Sequence, residues 1–538
     1  MIGVPPAPTL RAQARIVVAD GLDPAGVARL ERGGAVAVFG GLGEAALIEA
    51  LAEADAVIVR SCSRLTARVL EAAPRLRVAA RAGVGVDNID VDVATRRGIL
   101  VLNTRESSTT STAEHTMALL LALARHVPAA AASVARGEWT RERFVGTELY
   151  GKTLGIVGLG KIGGEVARRA QAFGMTVVAH DLYVSEDRAG RLGAQLLPLD
   201  DLLAASDVVT LHVPLTARTR HLIGADQLRR MKPGALLVNC ARGELVDEDA
   251  LRVALDEGRL GGAALDVFAH EPPGGSPLVG HPRVVATPHL GASTREAQRS
   301  VALEAADQVL AALEGRPVRG AVNAPAVLDE AWQRLGPFLA LTRHLGSVAQ
   351  QLARGPVASV ELLYAGEVAA EEPAPLTAAF LAGLFAGTST RPVNMISAPA
   401  LARDRGLAIS EVRREESEDF QSLVAVSLIA GGGPLRLAGT LFGRREPRIV
   451  QVDDYRLDLI PAPHLLLVWN TDRPGMIGRV GSVLGAHAVN IANMHVGRIT
   501  PGGTALMVLT VDAAPPAPVL AELAAIDGIS DVRAVRLD

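Results

Sequence analysis

The chain reads as an α/β protein in which two doubly wound parallel-sheet domains, one inserted in the other, are followed by two α+β domains, the last of them ferredoxin-like. Three observations predict this. Short apolar runs alternate with helical patterns twice between residues 15 and 289, a glycine-rich turn opens the second series, and residues 464–537 run strand, helix, strand, strand, helix, strand.

Residues 1–14 contain Pro5, Pro6 and Pro8 and lack the apolar core of a secretory signal, so a flexible extension is expected. The runs Ile16-Val17-Val18-Ala19, Ala56-Val57-Ile58-Val59 and Ile99-Leu100-Val101-Leu102 are short and apolar on both faces, as in strands of a buried parallel sheet, and residues 43–54 between them have a helical pattern. A long apolar helix over 112–125 leads into a second series. It opens on Thr153-Leu154-Gly155-Ile156-Val157, continues through Val177-Val178-Ala179 and Val208-Val209-Thr210-Leu211, and lasts to about His289. A helix over 294–315 can then return the chain to the first sheet. This gives one domain from 15–108 and 295–324, a second from 109–294 inserted in it, and a cleft between them. After Val322-Asn323-Ala324-Pro325 the pattern is less regular, punctuated at 367–375 and by Gly431-Gly432-Gly433-Pro434, so 325–460 reads as a separate α+β unit. Residues 463–538 form the last unit, with strands near 465–468, 490–496, 504–511 and 532–537 and helices near 477–487 and 518–526.

The 538 residues carry a net charge of -4, which leaves no broad basic surface and argues against a nucleic-acid partner. Cys62 and Cys240 are too few for a disulfide framework, so a reducing, cytoplasmic setting is expected. The longest helix-like apolar stretch, 117–124, is far shorter than the ~20 residues of a membrane span. No metal site is expected.

Gly158-Leu159-Gly160-Lys161-Ile162-Gly163 has the G-x-G-x-x-G spacing between a strand and a helix expected over 165–173. Glycines there allow a tight turn and close approach of a pyrophosphate, which rests on the helix N-terminus where free N–H groups favour anions. Asp181, 18 residues beyond Gly163 at the end of the next strand, can accept both ribose hydroxyls and would repel a 2′-phosphate. NAD rather than NADP is therefore the expected cofactor.

Three further residues follow apolar runs at 234–238, 262–265 and 284–286, and so belong at the sheet edge where ligands bind. Arg242 can clamp a carboxylate with two parallel hydrogen bonds. His289 can exchange a proton at neutral pH, and Glu271 can fix its tautomer and stabilise the imidazolium. Taken singly each has a plainer reading: a loop-capping histidine, a surface acid before Pro272-Pro273, and an arginine paired with Glu244 or Asp247. As a set they suit oxidation of a 2-hydroxy acid.

Ala80-Arg81-Ala82-Gly83-Val84-Gly85-Val86-Asp87-Asn88, the glycine turn, 239–247 and 265–291 together resemble the D-isomer-specific 2-hydroxyacid dehydrogenases, and within them the long-form phosphoglycerate dehydrogenases. The resemblance implies a Rossmann-like nucleotide domain inserted in a substrate domain. It also implies Arg242, Glu271 and His289 in the roles above, Asp266 near the nicotinamide, and NAD-dependent oxidation of 3-phosphoglycerate on the way to serine. A phosphorylated substrate needs more cations: Arg60 and Ser61 follow a strand and can reach a phosphate, while Arg81 and the Gly83–Gly85 backbone can cradle the carboxylate end. In this family the Trp139-Thr140-Arg141-Glu142-Arg143 loop reaches a neighbouring subunit's site, which implies a dimer or tetramer with Arg141 and Arg143 at the partner's substrate. The chain departs from the family pattern at Thr104-Arg105-Glu106-Ser107-Ser108, where Ser108 replaces a common Asn, and this keeps reduction of hydroxypyruvate, glyoxylate or 2-oxoglutarate open. A dehydrogenase-like NAD sensor without catalysis is the rival of another class.

Asn470-Thr471-Asp472-Arg473-Pro474-Gly475 and Val489-Asn490-Ile491 resemble an ACT domain, which implies binding of an amino-acid effector, L-serine, by Asn470, Asp472 and Asn490 between paired units. Asp472 alone can instead cap the helix. Val393-Asn394-Met395-Ile396-Ser397-Ala398 and Leu437-Ala438-Gly439-Thr440-Leu441 resemble the intervening domain of the same long-form enzymes. There Arg444, Arg445 and Arg448 form either a second anion site or a solvated cluster.

Overall fold

A computed structural model describes residues 14–105, 107–325, 329–388 and 393–537. The expected extension lies outside these residues except for Ala14, which instead opens the first strand. That strand is second in a five-stranded parallel sheet ordered Gly34–Val38, Ala14–Val18, Ala56–Val59, Val78–Arg81 and Leu100–Asn103. Helices cover both faces, which is why Ala56–Val59 is buried at every position. Val17, Val57 and Val59 face Leu47, Leu51 and Leu70. Ile16, Val18 and Ile58 face Val301, Ala305 and Val309 of the helix Arg295–Leu313, which returns from the second sheet.

The second sheet has seven parallel strands, ordered Val284–Ala286, Gly262–Leu265, Leu236–Asn239, Val208–Leu211, Thr153–Val157, Thr176–His180 and Gln195–Leu196. The chain enters at Thr153–Val157, runs outward to Gln195–Leu196, then crosses back to Val208–Leu211. The reversal leaves a crevice beyond the carboxyl ends of Thr153–Val157 and Val208–Leu211. The long helix spans Thr109–Ala124, beginning three residues earlier than its apolar pattern, and packs against Lys161–Ala172 and Gly262–Leu265. The helix Val127–Ala135, which no amphipathic period announces, follows it. Alanine's helix propensity and a proline in its first turn account for it.

The third sheet is six-stranded and mixed. Val357–Gly366 pairs parallel with Ala408–Arg414 and antiparallel with Ser422–Ala430, and Gly433–Phe442, Glu446–Val452 and Tyr455–Leu459 follow in order. Its inner face packs on the helices Asp329–Leu352 and Ala374–Leu384. The last unit is an antiparallel sheet ordered Ile491–Arg498, Thr504–Val511, His464–Thr471 and Ile529–Arg536. Alternation along its central strand divides two cores: Leu466 and Val468 meet the helices Met476–Ala486 and Ala517–Ala524, whereas Leu465 and Leu467 join the core of the third sheet. No single helix among the described residues is long and apolar enough to cross a membrane.

Candidate active site

His289 and Glu271 lie beyond the carboxyl ends of Val284–Ala286 and Gly262–Leu265, and their side chains meet with His289 Nδ1 2.8 Å from Glu271 Oε2. The contact leaves Nε2 free of that pairing. Burial works against ionisation of Glu271, but the His289 hydrogen bond, its charge, and the Phe268 N–H hold the carboxyl below its usual range. Asp266 sits one layer behind. Its side chain is fully buried, and its oxygens accept from Leu290 N–H at 2.7 Å, Gly291 N–H at 2.8 Å and the Thr287 hydroxyl at 2.6 Å, with His115 Nε2 at 3.1 Å. Its carboxylate thereby supports the histidine loop.

Arg242 follows Leu236–Asn239 on a turn that Asn239 builds, its side chain donating to Arg242 O at 2.8 Å and accepting from Ala241 N–H at 3.0 Å. The Arg242 Nε donates to Asp87 Oδ2 at 2.8 Å, across to the first domain, so neither Glu244 nor Asp247 is its partner. Glu244 pairs with Arg220, and Asp247 caps the next helix. Arg81 Nη1 donates to Asn88 Oδ1 at 2.8 Å, while its buried Nε has no partner among the described residues. Burial, then the Arg242 guanidinium, push the Arg81 guanidinium down to about 10, with Arg60 contributing in the same direction. Three arginine charges thus act on one another at the mouth of the first sheet. Asp20 fixes the Arg60 loop by accepting from Arg60 N–H at 2.6 Å and Ser63 N–H at 3.0 Å, and Asn88 donates to Arg60 O at 2.8 Å. Ser61 on this loop is exposed, and Gly83 O accepts from Thr104 N–H at 3.0 Å.

At the nucleotide turn Gly158 has φ 98°, and a Cβ there would lie 2.7 Å from His212 O; one at Gly163 would lie 2.1 Å from Gly158 O. These two glycines are required by the protein itself. A Cβ at Gly160, in contrast, would meet nothing within 4 Å, so this position faces open space at the start of the helix Lys161–Ala172. That helix begins at Lys161, earlier than the expected 165, and Ile162 lies half-buried in its first turn. Asp181 Oδ2 accepts from Leu159 N–H at 2.9 Å, which ties the carboxylate to the same turn. Open space before a helix N-terminus with an acid beside it fits NAD.

Other expected residues are not brought to the cleft. Arg141 and Arg143 lie on a solvent-facing turn, Arg141 over the ring of the exposed Trp139 and Arg143 4.0 Å from Glu138. Ser108 is buried, and Ser107 bonds Glu304, so these hydroxyls of the divergent loop turn inward. In the last unit Asn470 is buried, with Oδ1 unpartnered among the described residues. Asp472 accepts from Arg498 at 3.1 Å and Gly502 N–H at 3.2 Å and does not cap the helix, while Asn490 donates to Asp512 at 2.8 Å. Arg444 pairs with Glu367, and Arg448 pairs with Glu446 and Asp458, so two of the three arginines of the intervening unit are neutralised locally.

Sequence reasoning missed His115, Asp20 and Thr287 as parts of this site. His115 and Asp20 stand in no motif that announces chemistry, and Thr287, though inside the 265–291 segment, acts through Asp266.

Family models match in three places: the NAD-binding domain of the D-isomer specific 2-hydroxyacid dehydrogenases over residues 117–291, the D-3-phosphoglycerate dehydrogenase intervening domain over 334–453, and the ACT domain over 464–528. The chain is 42% identical over 524 residues to D-3-phosphoglycerate dehydrogenase of Methanocaldococcus jannaschii, covering 97% of this chain and 100% of that one. It is 40% identical over 483 residues to the Bacillus subtilis protein of the same name, covering 90% and 92%. Among solved structures, a D-lactate dehydrogenase from Aquifex aeolicus complexed with NAD and lactic acid is 30% identical with a TM-score of 0.51, over 56% of this chain and 96% of that one. A glyoxylate reductase from Paecilomyes thermophila is 32% identical with a TM-score of 0.53, over 56% and 96%.

Proposed function

Since the chain belongs to the D-3-phosphoglycerate dehydrogenase family, we propose that its interdomain cleft carries out NAD-dependent oxidation of 3-phospho-D-glycerate to 3-phosphohydroxypyruvate, the first step toward L-serine, with His289 as acid/base. The observation that carries the assignment of roles is the 2.8 Å His289–Glu271 pair, with the Arg242 charge acting on the same Glu271 carboxylate.

With Nδ1 engaged by Glu271, His289 takes the C2 hydroxyl proton on Nε2, and the Glu271 carboxylate stabilises the imidazolium that forms. Arg242 turns from Asp87 to the substrate carboxylate, which keeps C2 at the histidine and polarises its oxygen. Arg60, Ser61, Arg81 and the Gly83 backbone receive the phosphate and carboxylate ends. Gly158, Gly160, Lys161, Ile162, Gly163 and Asp181 would hold NAD, which when bound supplies the hydride acceptor. Residues 15–108 with 295–324 form the substrate domain and 109–294 the nucleotide domain.

Arg141 and Arg143 complete the site of a second copy in a dimer or tetramer. In support, Trp139 and Val145 beside them are 73% and 78% exposed, a heavy apolar display for a free surface. L-serine is the proposed effector, bound between paired last units at Asn470, Asp472 and Asn490. The ACT-domain match over residues 464–528 supports a small-molecule effector there.

His289→Ala should cost ~10² to 10⁴ in turnover. Rates of NADH consumption with 3-phosphohydroxypyruvate, hydroxypyruvate and 2-oxoglutarate test the substrate: preference for the phosphorylated acid is expected, and equal use of an unphosphorylated one would overturn it. A thermal shift selective for L-serine among amino acids is the corresponding test of the effector.

A further inference from the structure

His289 is held from two sides. Glu271 holds its ring, while its backbone is held by Asp266, whose carbonyl accepts the His289 N–H at 2.9 Å and whose carboxylate accepts the N–H groups of Leu290 and Gly291. The second support matters because His289 has φ 55°, a left-handed conformation that a side-chain-bearing residue keeps only where its surroundings fix it. A carboxylate that spans Thr287, Leu290 and Gly291 shapes the loop, but those three partners all belong to the loop being shaped. Asp266 is itself anchored outside the loop, its N–H donating to Asn239 O at 3.0 Å, and a side-chain contact from elsewhere would fix the rotation of its carboxylate.

Among the described residues the side-chain partner of Asp266 from elsewhere in the chain is His115. Its Nε2 lies 3.1 Å from Asp266 Oδ1 and 3.2 Å from Thr287 Oγ1, and its ring is four-fifths buried, with 19% of the side chain exposed. His115 stands on Thr109–Ala124, the helix that packs against both Gly262–Leu265 and Lys161–Ala172, so it ties the loop to an element fixed by both the strand before Asp266 and the nucleotide-turn helix. A donor from this helix to Oδ1 resists rotation of the carboxylate, and rotation would release Leu290 and Gly291 together.

We propose that His115 is a positioning residue for the reaction: through Asp266 it sets the backbone of residues 287–291 and thereby the place of the His289 ring. The inference rests on the reading above in which His289 exchanges the substrate proton. Misplacement of a reacting group by about 1 Å costs on the order of 10²-fold, which sets the scale of the expected effect.

The test compares His115→Leu, which fills the space without a donor, with His115→Gln, whose amide nitrogen can reach the place of Nε2. In the full-length protein, His115→Leu should lower kcat for 3-phosphoglycerate by about 10- to 100-fold, with KM and the Kd for NAD within about threefold of wild type. Chemistry should become more rate-limiting, so the isotope effect on kcat with C2-deuterated substrate should rise. His115→Gln should restore most of kcat. A purely structural role would lower the active fraction and leave the isotope effect unchanged, and that result overturns the proposal. Equal losses in both variants, or a loss confined to KM, also overturn it. If His115→Leu does not fold, His115→Asn, whose amide stops short of Asp266, takes its place with the same expectation. A wild-type protein active only on an unphosphorylated acid would revise the substrate alone, and the same variants would then be compared on that acid.

Discussion

Replacing Glu271 by glutamine isolates what its charge contributes to proton transfer. Glutamine keeps an oxygen able to accept from His289 Nδ1, so ring orientation is conserved while the negative charge that balances the imidazolium is lost. The two side chains are 41% and 38% exposed, so water screens the pair. With charge centres about 4 Å apart, the attraction is ~1 kcal/mol in bulk water and ~4 kcal/mol at the effective dielectric of a protein surface. Half-exposure places it at about 1–3 kcal/mol, which is about 5- to 150-fold in rate. Initial rates of NADH formation over a range of 3-phosphoglycerate should therefore show Glu271→Gln lowering kcat within that range and changing KM little, because the charge acts on the imidazolium formed during reaction. A double variant with His289→Ala should be no slower than His289→Ala alone, since the carboxylate acts through the ring. Near-normal kcat in Glu271→Gln, or additive losses in the double variant, would refute this division of labour.

Gly160→Ala should leave the melting temperature near that of wild type and weaken NAD binding, because its Cβ meets open space, whereas Gly163→Ala should destabilise the domain, because its Cβ would press on Gly158 O; a thermal melt with and without NAD separates the two. Burial opposes ionisation of Asp266, but hydrogen bonds from His115, Thr287 and Leu290 hold its carboxyl below 3.8. A depressed folded-state carboxyl stabilises above its unfolded value and loses that contribution as pH falls through the folded value. Asp266→Asn should thus be destabilised by roughly 2–4 kcal/mol at neutral pH, a gap that narrows below about pH 4 in melts across pH. Burial pushes the Cys240 thiol up to about 12, and Cys62 is exposed. A thiol reagent should therefore modify Cys62 in the native protein and both cysteines after denaturation; rapid native modification of Cys240 would contradict its burial.

The site was legible where chemistry and chain direction coincide. Arg242, Glu271 and His289 each follow a buried strand, and a parallel sheet delivers such residues to one edge, so their meeting could be anticipated from local sequence. Asp87 and Arg242 stand 155 residues apart, and His115 and Asp266 151 apart. Contacts of that kind depend on how two domains and a connecting helix dock, which no local period encodes. Asp266 illustrates the limit: its place at a strand end follows from local sequence, but its hydrogen bonds with Thr287, Leu290, Gly291 and His115 do not. The helix Val127–Ala135 was missed for a different reason, since an alanine-rich segment has propensity but no face. In the intervening unit, turn residues marked the breaks at Glu367–Ala370 and near Gly431, but the order of its strands follows from long-range pairing.

The strand His464–Thr471 gives alternate residues to two different cores, and this bears on how the protein can be cut. Leu465 and Leu467, with Leu506, Val508 and Val535, are all but fully covered by the unit that precedes them. A fragment ending before residue 463 would leave bare the matching surface on the helix Asp329–Leu352 and the edge strand Tyr455–Leu459, and a fragment beginning there would carry a naked aliphatic sheet into water. At about 1.5–3 kcal/mol for each such side chain, neither half is a ready-made cassette. Grafting the terminal unit onto another enzyme calls for transplanting the helix Asp329–Leu352 and its sheet with it, so that the transferable piece is the whole stretch from about residue 329 onward.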